Sequence, residues 1–542
     1  MKLTGFLFAA ALLGTCTQPA AEENYTRHVD PKIGTGGHGH VFVGANVPFG
    51  LVQVGPTSIP QTWDWCSGYH ASDSTVIGFS HTHLSGTGIG DLFDVTVMPV
   101  TGEVTYARGT EDDPTSGLWS YADRTQEIAR PGYYSVPLTR YGIRAELTAT
   151  ARVGLHRYTF PASDAAAVVF DLENGGCWDK ATETHLAKEG DRTVTGWRHS
   201  TGWAKDQRVY FVAEFSKPFE KFETIGDNYA RASFRTTDGE QVSLKVALSP
   251  VSVEGARENL AAELPGWDFE ETAKAADKAW NDELSKVKIT TADETARRIF
   301  YTALYHTMIA PSLFCDVNGD YYGSDHAIHR NADFTNYTTF SLWDTYRAAM
   351  PLMTVLHPEK MADIVQTMLT ISDEQGRLPV WHLWGNETDC MVGNPGIVAV
   401  ADAIVKGIGG FDREKAFEAI RKTAMNPDRG NGLRMEYGYI PCEMFNEAVA
   451  YDMEYALADG AAARAAETLG KAEDAKYFEE RSHSYRNYFD PATRFMRGRD
   501  SRKGWRTPFN AFASTHRADD YCEGNAWQYT WLAPHDVKGS LR

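Results

Sequence analysis

The apolar residues of this chain change their spacing once, near Gly266, and that change limits the fold more than any single motif. From Tyr25 up to that point, short apolar runs alternate with polar residues. Val41-Phe-Val, Gly50-Leu-Val-Gln-Val, Ile77-Gly-Phe-Ser, Val95-Thr-Val-Met-Pro, Ala166-Ala-Val-Val-Phe, Val209-Tyr-Phe-Val and Val242-Ser-Leu-Lys-Val are examples, separated by Gly, Pro, Asp and Ser turns. Many short strands of this kind predict a β-sandwich rather than a parallel α/β domain. Residues 269–287 are rich in Ala, Glu, Lys and Asp at helical spacing, which predicts a connecting helix. From Thr291 onward helical runs dominate, at 295–308, 343–356, 358–371, 396–407, 413–424, 448–469 and 472–488, broken by loops rich in Gly, Asn, Asp and Trp. Helical hairpins joined in this way predict an α/α toroid with its polar loops at one mouth. The expected organisation is a sandwich over 24–266, a linker helix over 267–290 and a toroid over 291–542.

At 542 residues the chain is too long for one ordinary core, so more than one domain is expected. An apolar content of 42 %, with 14 Trp, 25 Tyr and 26 Phe, fills large cores and leaves aromatic rings for ligand surfaces. The net charge of −19 excludes a basic field for nucleic acid. Residues 1–23 begin with Lys2 and the apolar run from Gly5 to Gly14, the pattern of a signal peptide and too short for a membrane span. Leu13-Gly-Thr-Cys16 is similar to a lipobox, so a lipid anchor at Cys16 is one alternative to simple secretion or periplasmic release. The other six cysteines are widely and irregularly spaced, which defines neither a disulfide framework nor a zinc site.

Several stretches have residue types suited to chemistry. In Tyr521 to Trp531, Glu523 is expected to open a helix on which Trp527 and Trp531 share its face. A carboxylic acid beside indole surfaces is the equipment for protonating a leaving group while a sugar stacks nearby. The helix N-terminus would lower its pKa and burial against indole would raise it, and burial is taken to win. The plainer alternative is an N-terminal helix carboxylate backed by core tryptophans. Ser341 to Arg347 offers Trp343 and Asp344 for stacking and hydroxyl binding, or simply an Asp344 to Arg347 ion pair. Glu387 and Asp389 stand in an aromatic loop, as polar floor or as solvated loop residues. His81 and His83 fall on one strand face, as metal ligands or, more simply, as structural histidines. The Gly-rich run from Asp30 to His40 lacks the ending of a phosphate loop, and Asp316 to Asp320 reads as a hairpin turn at Asn318-Gly319 rather than a calcium loop.

Taken in order, Asp30 to His40, Pro48-Phe-Gly, Trp63 through Cys66-Ser-Gly-Tyr-His, Gly78 to Gly88, Phe340 to Arg347, Gly385-Asn-Glu-Thr, Cys522 to Trp531 and Pro534-His-Asp-Val resemble glycoside hydrolase family 92. The resemblance runs from about Asp30 to the last residue. It implies an exo-acting, Ca²⁺-dependent, inverting α-mannosidase built from a β-sandwich and an (α/α)6 domain. It further implies that Glu523 is the general acid, that Trp343 and Asp344 line the subsite of the cleaved mannose, and that Trp63 borders the leaving sugar. Family members continue well beyond a point equivalent to Arg542, through stretches that supply the general base and much of the Ca²⁺ site, so neither base nor metal ligands can be named here. His382 stands where the family tends to have Glu, and Asn394-Pro-Gly where it tends to have Tyr-His.

The expected function is therefore hydrolysis of terminal α-mannosides, α-1,2 links foremost, on N-glycans or mannans by an exported protein. The toroid is expected to be incomplete and the activity of the chain ending at Arg542 impaired. Two alternatives stand beside it: a carbohydrate-binding protein without turnover, and an amidase acting on the sugar-to-asparagine link. For the amidase no Cys/His/Asp spacing is convincing.

Overall fold

A computed structural model describes residues 23–540, so the expected signal peptide and Cys16 lie outside the described residues. The N-terminal half is a sandwich of two antiparallel sheets. One has six strands in the order Gly55–Thr57, Gly78–Ser80, Thr96–Thr101, Ser163–Asp171, Tyr229–Thr236 and Lys221–Ile225. The other has eight, from Lys180–Glu189 at one edge to Ile128–Arg130 at the other. Alternation along Gln207–Phe215 and Val153–Phe160 turns one face of each strand inward, and Phe170 of the first sheet stacks on Phe211 of the second at 6.2 Å between ring centres.

Two of the expected strands are not strands. Val41-Phe-Val and Gly50 to Val54 are buried but irregular, with a single bridge between Ala45 and Val54. Their apolar content serves another purpose, because this segment is the seam between the two halves of the molecule. The Phe49 amide donates to the Met308 carbonyl at 2.8 Å, the Leu313 amide donates to the Phe49 carbonyl at 2.9 Å, and the Trp280 indole donates to the Asn46 carbonyl at 2.7 Å. The stretch before Gly266 also contains a helix, α1 (Val253–Glu263), capped by Ser252 and packed through Ala256 and Leu260 against Val212 and Ala247.

Helix α2 (Phe269–Leu284) connects the halves, its N-terminus capped by Asp268. The helical domain follows with α3 (Glu294–His306), α4 (Leu342–Thr345), α5 (Ala349–Leu356), α6 (Pro358–Gln375), α7 (Pro395–Val405), α8 (Arg413–Ala424), α9 (Asn431–Tyr437), α10 (Ala448–Thr468) and α11 (Ala472–Arg481). Helices α6, α7, α8 and α10 enclose one apolar core, as expected for helical hairpins of a toroid. The run 343–356, expected as one helix, is two. Pro351 lacks an amide hydrogen and would clash with the carbonyl of Arg347, so it sits in the first turn of α5, where neither matters. The run 472–488 likewise ends its α-helix at Arg481 and continues as a 3₁₀ turn, Ser484–Tyr488.

A charged group lies buried among strand ends of the two sheets. The fully buried Arg198 guanidinium donates to Asp94 at 2.7 Å, to the Leu172 carbonyl at 2.8 Å and to Asp179. Thr82 and Gln207 also donate to Asp94, and Ser200 donates to Asp179. His81 and His83 are structural. Tyr158 donates to His156 Nδ1 at 2.7 Å, the two facing Nε2 atoms of His156 and His81 lie 2.9 Å apart, and His81 Nδ1 meets the Val95 carbonyl at 2.6 Å. The proton order consistent with all three contacts leaves both rings neutral. Burial lowers the pKa of His81 to about 3 and that of His83 to about 4.

Replacing Arg198 with Leu strands two buried carboxylates and is expected to cost about 3–5 kcal/mol in denaturant unfolding; a loss below 1 kcal/mol would show the network to be dispensable. The histidines set the sign of a pH effect. His83 is protonated in the unfolded chain below its ordinary value near 6.5 but not in the folded one until about 4, so its contribution is full above 6.5 and is lost as pH falls towards 4. Between those values His83→Gln should flatten the stability curve by up to about 1.4 kcal/mol per pH unit, measured as the difference in unfolding free energy from wild type.

Candidate active site

A groove of about 1050 Å³ runs along the seam between the halves. The sandwich contributes Trp63, Trp178 and Trp203, and the helical domain contributes Asp344, Trp381, Asp389 and Glu523. Trp63 is held by its indole N–H on the Gly88 carbonyl at 3.0 Å and by the edge of His40 at 4.4 Å. A Cβ at Gly88 would come within 2.5 Å of that indole, which explains a residue without a side chain at this point. Trp178 and Trp203 stack at 5.9 Å. The Asp91 carboxylate accepts from the amides of Trp203 and Ala204 at 3.0 and 2.9 Å, and Asp179, gripped by Arg198, adjoins Trp178. The three sandwich tryptophans thus present ring surface from positions fixed by buried polar groups, a wall suited to the faces of sugar rings.

On the opposite wall Trp381 pairs with Ser341 across a small sheet, and the Ser341 hydroxyl donates to Asp344. The alternative Asp344 to Arg347 ion pair does not form, because Arg347 pairs with Glu454 on α10 at 2.6 Å. Glu454 also accepts from the Trp343 indole at 3.1 Å and the Tyr346 hydroxyl at 2.8 Å. Burial pushes this carboxyl up from the ordinary range, against the pull of Arg347 and of the Tyr346 and Trp343 hydrogen bonds. Trp343, half-buried, has its N–H committed to Glu454 and is not among the lining residues of the groove, whereas Asp344 faces the groove, exposed.

Glu523 lines the groove, but the local geometry differs from expectation. Helix α12 spans only Ala526–Tyr529 and starts from Asn525, whose side chain accepts from the Trp527 and Gln528 amides while the Gln528 side chain caps the Asn525 amide. That reciprocal box displaces Glu523 from the helix. Its backbone is left-handed, φ 46°, which costs about 1–2 kcal/mol for a residue with a side chain. Neighbouring bonds hold it there: the Tyr521 hydroxyl donates to the Met496 carbonyl at 2.6 Å and the Tyr529 hydroxyl to the Cys522 carbonyl at 2.8 Å. No indole wall follows. Trp527 packs on Phe495 and Phe512, and Trp531 is 73 % exposed; neither lines the groove. Glu523 itself is exposed to the groove, not buried against indole as expected.

Glu387 is a loop clamp rather than a floor. Its carboxylate accepts from the amides of Val380, Trp381 and Asp389 at 2.7, 2.9 and 2.9 Å, and so fixes the turn that carries Trp381. Asp389 is paired with Arg377 at 3.1 Å and Arg429 at 2.7 Å. The sequence reading missed Trp178 and Trp203 and named Trp381 only as part of the aromatic loop around Glu387 and Asp389; each lies beside a turn or hairpin.

Among the described residues one group of three carboxylate and imidazole side chains converges closely enough to hold a metal ion. Asp325, His329 and Glu374 converge, with the His329 Nε2 3.0 Å from Asp325 and 3.3 Å from Glu374, but a ring nitrogen is foreign to a cage of six to eight oxygens and the cluster lies outside the groove. Asp316 is spent on Ser249 and Asn259, and Asp320 on Arg330 and the Asn331 amide, with Gly319 in a positive-φ turn between them.

Comparison with known proteins agrees with this architecture. Residues 28–249 match the glycosyl hydrolase family 92 N-terminal domain and residues 255–541 the family 92 catalytic domain. A family GH92 α-mannosidase of Bacteroides thetaiotaomicron, solved with mannoimidazole, superposes with a TM-score of 0.92 at 39 % identity, over 96 % of this chain and 72 % of that one. An inverting family GH92 mannosidase of the same bacterium gives a TM-score of 0.87 at 29 % identity over the same shares. A protein of Arthroderma benhamiae described as an uncharacterized secreted glycosidase is 26 % identical over 95 % of this chain and 71 % of its own length. Matched in order along nearly its whole length, the chain belongs to glycosyl hydrolase family 92.

Proposed function

We infer that the protein is an exo-acting α-mannosidase that hydrolyses terminal α-mannosides of glycans with inversion. The observation that carries this reading is Glu523 held on a strained loop, its carboxyl group exposed to a groove walled by tryptophan, in a chain similar to two solved mannosidases. In this reading Glu523 protonates the glycosidic oxygen as the bond to the anomeric carbon breaks, water adds to that carbon from the opposite face and gives up a proton, and Asp344, oriented by Ser341, accepts from hydroxyls of the departing mannose. Trp63 stacks against the leaving sugar. Export is part of the proposal; it is supported by the N-terminal apolar run and by the secreted relative, and no described helix is long and apolar enough to cross a membrane.

Amidase chemistry with a cysteine nucleophile is disfavoured. Cys390 lines the groove, but burial pushes its thiol up to about 12, away from the thiolate such a step requires.

The reading is tested with α-1,2-, α-1,3-, α-1,4- and α-1,6-linked mannobiose, following the anomer released by NMR. β-Mannose as first product is expected, and binding by calorimetry without product would favour a non-catalytic carbohydrate-binding protein. Glu523→Gln should lower kcat/KM on mannobiose roughly 100- to 10,000-fold and lower it least on aryl mannosides, whose leaving groups need little protonation. Equal losses on both substrates would remove the proton-donor role.

A further inference from the structure

A second cavity, of about 780 Å³, opens on the sandwich next to the groove. The two share a ridge. Gln61 and Cys177 line the second cavity whereas Trp63 and Trp178 line the groove, and the Cys177 thiol donates to the Thr62 carbonyl at 3.3 Å, tying the two segments together. Two residues of extended chain span at most about 7 Å, so the Gln61 and Trp63 sides of the ridge are close enough for one oligosaccharide to cross it.

The cavity offers unspent hydrogen-bonding capacity. Arg108 carries five N–H donors, yet among the described residues its one contact is a long 3.5 Å bond to the Gly175 carbonyl and no carboxylate pairs with it. A partly buried guanidinium without such a partner is uncommon, and burial accordingly lowers its pKa. Glu173, Asn174, Asp227 and Asn228 line the same cavity, and Asp227 is exposed with no ion pair among the described residues. The lining sets Glu173, Asp179, Glu183 and Asp227 against Arg108 and Lys180, a balance that opposes a polyanion. The nearly complete lack of apolar side chains in the lining opposes a lipid. Donors and acceptors side by side suit a neutral polyhydroxyl ligand, whose every hydroxyl both donates and accepts.

We propose that this cavity is a remote sugar subsite, occupied by a second arm or inner portion of the glycan whose terminal mannose sits in the groove, and that it selects branched oligomannosides over disaccharides. The proposal rests on the mannoside reading of the groove but is carried by different residues. Isothermal titration calorimetry tests it on the full 542-residue chain bearing Glu523→Gln, so that turnover does not intervene, with α-mannobiose and a branched high-mannose oligosaccharide as the two probes. The oligosaccharide should bind about tenfold tighter than the disaccharide, and Arg108→Ala and Asp227→Ala should each remove about that factor while leaving mannobiose affinity unchanged. Circular dichroism and thermal melting check the fold, and the exposed Asp227 keeps the test informative should Arg108→Ala fail to fold. Equal affinity for the two probes, or variants that leave oligosaccharide affinity unchanged, would overturn the subsite while the groove reading stood. Oligosaccharide binding that depends on Arg108 without any binding of mannobiose would uphold the subsite and overturn the groove reading.

Discussion

The groove depends on a charge buried where water cannot reach it. Arg198 lies between Asp94 and Asp179, and each partner has further donors, so the desolvation of three ionised groups is offset by close geometry and satisfied lone pairs. Apolar packing between two sheets is tolerant of small slips, whereas a forked guanidinium between two carboxylates accepts one arrangement. Through Asp179 the network reaches the loop of Trp178, and the neighbouring Asp91 secures the amide of Trp203. Rings that line the groove are thus anchored by polar groups that do not line it.

The helical wall repeats that division. Glu454 is buried and joins Trp343, Tyr346 and Arg347, which allows the short helix α4 to hold Asp344 at the groove although Pro351 interrupts the helix just beyond it. Glu387 clamps three amides behind Trp381. Glu523, by contrast, is left exposed on left-handed backbone between two tyrosine hydroxyl bonds, a conformation that persists only because its surroundings leave no alternative. Glu454 and Glu387 are taken up by hydrogen bonds behind the lining, whereas Asp344 and Glu523 face the groove exposed.

Much of this was legible in the chain because it depends on local pattern. The period of the apolar residues separated sandwich from helical domain, although α1, inside the stretch read as strands, was missed. The order of short motifs carried the resemblance that brought Trp63, Asp344 and Glu523 forward, and all three meet in the groove. The failures arose where a local rule was extended too far. Helical spacing placed Trp527 and Trp531 beside Glu523, but the Asn525 to Gln528 box starts the helix two residues later. Apolar runs at 41–43 and 50–54 read as strands because burial between domains produces the same composition as burial between sheets.

By itself, then, the sequence determined the two halves, the change of hydrophobic period and the identity of the carboxylates and indoles available for chemistry, since these follow from residue order and near-neighbour geometry. Only the tertiary structure decided which of them converge. Trp178, Trp203 and Trp381 join the groove, and Trp527 leaves it, through contacts between residues as far as 112 apart in the chain: Arg198 to Asp94, Asp91 to Trp203, Ser341 to Trp381 and Trp527 to Phe495. Such contacts depend on satisfying buried polar groups in three dimensions, a requirement that periodicity and spacing along a chain do not encode.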